Sequence, residues 1–265
     1  VAGVPLLCVE RRLSPQLIHL NRQGAWNGHV PVTGILSFAF VLLALLHGFD
    51  TIVMSNERSA DEGNLQLPEG EVNHQWSKSR EFEVAFQKLL QTEVCTGLRY
   101  FSLLRPCHEL QVARLFAAPL FAPYRKIFLS CNRAFRQDAP RDASWCGDCD
   151  KCRFMFLILA AFLPRQETEA IFKGSLLCPE QLPGFEALLG LKGDKPFDCV
   201  GTVAESRAAL ARLASREEWR EEPLVKALRG EAAVKEGADC LGMEGLEQLP
   251  GHYPEALRAL ARAAP

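Results

Sequence analysis

Three cysteines at two-residue intervals, Cys146-Gly-Asp-Cys149-Asp-Lys-Cys152, constrain this chain more than any other stretch of it. Thiolates so close in sequence can be drawn round one ion, and a fourth, Cys131 in LSCNR, stands upstream. Four cysteines close a tetrahedral zinc site, with Gly147 permitting the turn inside it. Soft thiolates argue against magnesium and leave two other readings. One is an iron–sulfur cluster that takes Cys178-Pro179 as a distant fourth ligand, and the other is unliganded thiols in a reducing cytoplasm. The tight spacing favours zinc, with Cys131, Cys146, Cys149 and Cys152 as expected ligands. With all four positions filled by protein the ion is structural, stapling its loop to the next helix.

The other six cysteines, Cys8, Cys95, Cys107, Cys178, Cys199 and Cys240, are expected to be small buried hydrophobes. Cys199 stands apart, because Lys195-Pro-Phe-Asp-Cys-Val-Gly-Thr202 is a compact loop before a helix, where the dipole lowers a thiol pKa. Ten cysteines scattered over 265 residues do not make a secreted disulfide scaffold. Thirty basic against 32 acidic side chains, a net charge of -2, exclude a generally basic nucleic-acid coat, so no nucleic-acid partner is expected. The longest apolar run, Ile35 to Leu46, falls short of the ~20 residues of a membrane span and predicts a buried helix. A cytoplasmic chain with no membrane partner is the expectation. The opening VAGVPLLCVE reads as an internal strand rather than a leader, and an absent upstream segment is favoured over a start assigned at a valine-type codon.

Strand-like and helical patterns alternate through the first half. Strands are predicted at Val4–Val9, Thr51–Ser55, Tyr100–Leu104 and Lys126–Ser130. Ser14-Pro15 signals a helix start, and Phe82, Ala85, Phe86, Leu89 and Leu90 mark one face of another helix, with Glu81 and Glu83 suiting its N-terminus. Further helices are expected from about His108 to Ala117 and from Lys151 to Leu163. The order implies an α/β fold with a mostly parallel sheet and flanking helices over residues 1–173, the cysteine loop at 131–152 included. Residues 174–265 form a helical C-terminal region, whose last helix stripes Leu257, Leu260, Ala261 and Ala264 on one side.

Three polar groups are placed to hold a ligand. Ligands in open α/β sheets sit beyond the carboxyl ends of strands, which singles out Asn56, Glu57, Arg58 and Ser59; the competing reading is a solvated acidic loop. Asn73, His74, Gln75, Ser77, Lys78 and Ser79 crowd ahead of a helix N-terminus, a natural anion site, although Ser77 or Ser79 serves equally as an N-cap. Asn27, His29 and Thr33 open the apolar helix. No G-x-x-x-x-G-K-[ST], G-x-G-x-x-G or G-x-S-x-G motif occurs, so residue chemistry stops at a polar, anion-compatible pocket beside a structural zinc.

The succession NGHVPVT, SNERSADEGN, VNHQWSKSREFE, WCGDCDKCRF and KPFDCVGT resembles the bacterial UDP-N-acetylmuramoyl-L-alanyl-L-glutamate epimerase family of peptidoglycan synthesis, over roughly Val4 to Ser206. The cysteine module is also similar to that of 7-cyano-7-deazaguanine synthase, a PP-loop ATP pyrophosphatase, which supports a shared adenylating fold. The resemblance implies ATP-dependent inversion of the terminal L-Glu of the UDP-muramoyl dipeptide to D-Glu, with Mg2+, releasing AMP and diphosphate. By position, Asn27, His29, Asn56, Arg58, Ser59, Asn73 and Lys78 are the expected substrate contacts, with His74 and Lys78 on phosphate or carboxylate, and Glu57, His74 and Cys199 are the candidate proton carriers. The resemblance also implies a glycine-rich ATP loop, and no adjacent glycine pair occurs in the chain. With Val1 in place of Met, this leads to the expectation of a missing N-terminal part.

Two other classes compete with the epimerase: another PP-loop enzyme activating a carboxylate for amidation or nitrile formation, and a non-catalytic zinc-stapled interaction module. Cofactor-independent racemisation through paired cysteines is disfavoured because only Cys199 sits in a suitable loop.

Overall fold

The computed structural model describes residues 3–25, 30–63, 65–136, 143–231 and 240–265. Helix α1 (Pro15–Arg22) starts where Ser14-Pro15 predicts, with the Ser14 side chain accepting from the Gln16 backbone N–H. The run before it is not the expected strand. Val4–Val9 has no β partner among the described residues, and Val4, Leu6 and Val9 are exposed. An apolar run needs a neighbouring ladder for its backbone groups before it becomes a strand.

Helix α2 (Val32–His47) holds the long apolar run and ends on Gly48 in the left-handed region, φ 71°. It is not fully buried. Gly34, Ser37, Val41 and Ala44 form its covered stripe, whereas Ile35, Leu36, Phe38, Leu42, Leu45 and Leu46 are exposed. Apolar character all round a helix buries only the sides that meet another element.

Strand β1 (Thr51–Met54) follows, then the hairpin β2 (Leu65–Leu67) and β3 (Gly70–Val72), helix α3 (Arg80–Leu89) and β4 (Arg99–Ser102). Strands β1 and β4 pair in parallel, Thr51 opposite Arg99 and Met54 opposite Ser102, joined through α3 as a parallel pair requires. The mostly parallel sheet is thus a two-stranded one, accompanied by a separate antiparallel hairpin. The segment from Asn56 to Lys78, which reads as one long loop, contains that hairpin and two 3-10 turns. In α3 the Ser79 hydroxyl caps the Phe82 N–H, and Phe82, Phe86 and Leu90 bury at four-residue spacing. Ala85 and Leu89, predicted on that face, are exposed.

Helix α4 (Glu109–Phe116) comes next, and the expected strand at Lys126–Ser130 does not form. Pro119 and Pro123 sit in a 3-10 turn, and the Ile127 and Phe128 N–H groups bond back to the Tyr124 carbonyl, so the segment closes on itself. Among the described residues the remaining helices are α5 (Asp150–Ala160), α6 (Arg165–Phe172), α7 (Leu182–Leu188), α8 (Val203–Ser215), α9 (Pro223–Leu228) and α10 (Tyr253–Ala263). The largest apolar cluster surrounds α5, with Phe154, Phe156, Phe185, Leu210 and Trp219 fully enclosed, and it runs from Leu110 to Cys240. A second joins Val41, Ile52, Phe82, Phe86 and Tyr100; a third seats Leu257, Leu260 and Ala261 of α10, with Ala264 just past its end, against Phe101 and Leu115. Among the described residues no helix is long and apolar enough to cross a membrane. The fold is mixed helix and sheet, with a small parallel sheet and a cysteine cluster.

Candidate active site and cysteine knuckle

The loop after β1 and the segment before α3 are fastened together by Arg105. Its buried guanidinium donates to the Glu57 carbonyl at 2.9 Å and the Lys78 carbonyl at 2.6 Å, and it pairs with Glu83 at 3.0 Å and Asp61 at 3.4 Å. Ser102 at the end of β4 donates to the Asn56 carbonyl at 2.7 Å. These bonds hold two stretches, each anion-compatible on paper, beside the carboxyl ends of both parallel strands.

The second half of the chain closes this region. Glu205, fully buried at the start of α8, completes a capping box with Thr202 and accepts from Ser59 Oγ at 2.8 Å and the Leu110 N–H at 3.0 Å. Ser59 Oγ accepts in turn from the Glu109 N–H at 3.0 Å. The loop ahead of α8 thereby brings Cys199 to the first half. Cys199 Sγ lies 3.6 Å from His74 Nε2 and 3.8 Å from Lys78 Nζ, while the Phe197 ring packs on His74 with centroids 4.7 Å apart.

Charged groups are linked to that contact: Lys151 interacts with Cys199, and Glu57 interacts with Lys151, Lys78 and Glu109. Lys151 Nζ donates to Glu109 Oε1 at 2.8 Å. The Glu57 carboxyl is raised above its ordinary value, chiefly by burial and then by Glu109, with Lys151 and Lys78 opposing. A carboxyl so raised is a proton carrier nearer neutral pH, and a thiol beside an imidazole and an ammonium is a nucleophile or acid–base group. A groove of about 900 Å³ nearby is lined by Asp61, Asn73, Trp76 and Ser79 but by none of Glu57, His74, Lys78 or Cys199. That groove does not coincide with the candidate site.

The sulfurs of Cys131, Cys146, Cys149 and Cys152 lie within 4.8 Å of one another, as a metal-binding set requires. Metal–sulfur bonds of about 2.3 Å in a tetrahedron put sulfurs about 3.8 Å apart. Cys131 and Cys149 are 3.9 Å apart, and Cys146 and Cys152 are 3.7 Å apart. The four residues therefore fit a soft ion. Hydrogen bonding from Cys152 first, with Cys146 and Cys131, draws the Cys149 thiol down to about 4, while burial raises the Cys146 thiol and the hydrogen bond to Cys149 raises that of Cys152. Gly147 makes the turn at φ 71°. Arg153 braces it through Asp148 and Asp150, and Gln181 donates to the Gly147 carbonyl at 3.1 Å.

Residues 1–103 match the MurL N-terminal domain family and residues 127–240 the MurL C-terminal domain family. The chain belongs to the MurL family. It is similar to three proteins named UDP-N-acetyl-alpha-D-muramoyl-L-alanyl-L-glutamate epimerase. The relative from Xanthomonas oryzae pv. oryzae (strain MAFF 311018) is 48% identical over 98% of this chain. That from Salinispora tropica (strain ATCC BAA-916 / DSM 44818 / JCM 13857 / NBRC 105044 / CNB-440) is 44% identical over 99%. That from Micromonospora sp. (strain ATCC 39149 / NRRL 15099 / SCC 1413) is 45% identical over 97%. The chain spans 58% of the length of each. No solved structure matches.

In this MurL-family chain Glu57, His74, Lys78 and Cys199, predicted from separate loops, come together. Others bind the protein itself. Arg58 pairs with Glu244 at 2.6 Å; Asn73 donates to the Ala60 carbonyl and accepts from the Gln75 N–H, both at 2.8 Å; Ser59 is held by Glu205. Asn56 takes part through its carbonyl. Asn27 and His29 lie outside the described residues. Cys178 is not among the four converging cysteines, and Cys8 is exposed rather than buried. Sequence reasoning missed Lys151, Glu109, Arg105 and Glu205. Lys151 was hidden inside the cysteine motif, and the only signal for Glu109 was an acidic residue in a helix's first turn.

Proposed function

We propose that this chain carries the proton-transfer site of an ATP-dependent epimerase that inverts the terminal L-Glu of UDP-N-acetylmuramoyl-L-Ala-L-Glu to D-Glu in peptidoglycan precursor synthesis. The observation that supports it most is the Cys199–His74 contact, with Lys78 on the thiol and the raised Glu57 carboxyl close by. The relatives' name supplies the substrate.

Inversion needs the α-proton to leave one face of the glutamyl carbon and another to arrive on the opposite face. Two carriers of different chemistry, the Glu57 carboxyl and the Cys199 thiol, suit that demand. His74 exchanges a proton with the thiol, and Lys78 stabilises the thiolate. A free carboxylate opposes loss of the neighbouring proton, because a second negative charge would form beside the first. Joining that carboxylate to AMP removes its charge, with diphosphate released; Mg2+ supplies charge neutralisation at the phosphates, and water finally releases AMP. Such chemistry supports the nucleotide step and a PP-loop-type adenylating fold, in a cytoplasmic enzyme with an α/β domain over 1–173 and a helical region over 174–265. The cysteine knuckle holds structural zinc, since its sulfur spacings suit that ion.

The test takes a protein that carries this chain together with the glycine-rich ATP loop implied by the resemblance, and incubates it with the dipeptide substrate, ATP and Mg2+ in D2O. Deuterium at the glutamyl α-carbon with matching AMP is the expected result. Release of ADP, or inversion without nucleotide, contradicts it.

A further inference from the structure

Two sequence neighbours of knuckle cysteines reach the candidate site. Asn132, beside Cys131, donates its side-chain amide to Asp198 Oδ1, and that same oxygen accepts the Cys199 backbone N–H at 2.7 Å. Lys151, between Cys149 and Cys152, is buried; its ammonium reaches Glu109 at 2.8 Å and lies 5.5 Å over the Phe154 ring. Glu109 is bonded to Ser59, two residues from Glu57. The knuckle therefore meets the site twice, once at the loop bearing Cys199 and once through a cation.

We propose that the four-cysteine knuckle is the mount of the His74–Cys199 pair, with Asn132 and Lys151 as the positioning residues that carry its occupancy into the site. The inference rests on the reading above for which groups form the site, not for their reaction. Metal–sulfur bonds fix where Cys131, Cys149 and Cys152 lie, and their neighbours Asn132 and Lys151 have little freedom once those are fixed. Emptying the knuckle removes the reason for the sulfurs to converge, so the amide at Asp198 and the ammonium at Glu109 are both released to shift. His74 and Lys78 touch the Cys199 thiol and Asp198 faces its backbone, with Lys151, Glu57 and Glu109 as the surrounding charges. A buried cation held in that group counters negative charge that develops there.

The test is the iodoacetamide alkylation rate of Cys199 in the full chain, read by peptide mass mapping from pH 6 to 9 with zinc as the metal. Lys151→Met should slow Cys199 about three- to tenfold at pH 7. Lys151→Arg should restore most of the rate. Stripping zinc with a chelator should slow wild type by a similar factor and Lys151→Met much less. A stripped chain whose Cys199 reacts as fast as the loaded one, a chain that retains no zinc, or an Arg variant as slow as the Met variant overturns the proposal. Where circular dichroism shows that stripping unfolds the chain, the Met and Arg variants in zinc-loaded protein decide alone. No substrate enters the assay, so a chain that never inverts glutamate can still pass it.

Discussion

The Cys199 thiol and His74 Nε2 stand 3.6 Å apart although 125 positions separate them in the chain. Lys78 and Phe197 complete the surroundings of that pair, one by charge and one by its ring. Substituting Cys199→Ser should leave the thermal midpoint within a few degrees of wild type, because the side chain is only partly buried and nearly isosteric. The same change should lower the rate of α-proton exchange by about 10²–10⁴, the usual contribution of a positioned acid–base group. Differential scanning calorimetry and deuterium incorporation measure the two effects separately.

Glu57 gives a pH signature. Its carboxyl is raised above 4.5, chiefly by burial and then by Glu109, so the folded chain binds that proton more tightly than the unfolded chain. Stability contributed by this group is therefore fully present below the unfolded value of 4.5 and is lost as pH rises above it through the raised folded-state value. Glu57→Gln should raise the thermal midpoint at pH 7 by a few degrees, and the gain should vanish as the pH approaches 4.5, as melts from pH 4 to 8 will record.

The knuckle makes a prediction about ligands. Cobalt added to the reduced chain should give thiolate charge-transfer and tetrahedral d–d bands that saturate at one ion per chain. Cys146→Ser should weaken those bands and lower the thermal midpoint by about 5–10 °C through loss of a structural metal ligand. Cys178→Ser should change neither, since it lies outside the converging four.

Gly201 should not accept a methyl group. A Cβ there would overlap the Phe154 ring and stand 2.7 Å from Glu205 Oε2, where neither a core aromatic nor a triply bonded carboxylate can withdraw. Gly201→Ala should cost about 2–4 kcal/mol in urea unfolding, as overpacking and loss of a buried network do. Gly193→Asn, at a φ of 72° with open space around it, should cost far less.

Local signals in the sequence carried over where one element decides the outcome by itself. Ser14-Pro15 caps α1, and the three spaced cysteines converge with Cys131 because neighbouring thiols can hardly avoid one another. Strand forecasts failed where the outcome depends on a partner: Val4–Val9 has none, and Lys126–Ser130 follows two prolines into a turn. The apolar run of α2 predicted burial on every side, yet the side opposite Val41 and Ala44 is exposed. At the site, Glu57, His74, Lys78 and Cys199 were each visible as polar residues in loops beside strands and helices. That they meet was not visible, because the meeting is made by Arg105 and Glu205, buried charges whose partners lie far along the chain. For the same reason Ser59 and Asn73 looked like ligand contacts and are instead bonded within the protein.

The most direct measurement is hydrogen exchange on a substrate that needs no activation, the α-methyl ester of UDP-N-acetylmuramoyl-L-Ala-L-Glu, whose carbonyl carries no charge. In D2O the chain should place deuterium on the glutamyl α-carbon and yield both epimers, while Cys199→Ser and Glu57→Gln should exchange at or near the uncatalysed rate. Exchange no faster than in buffer with wild type, or equal in wild type and both variants, would contradict a proton-transfer site built on these residues.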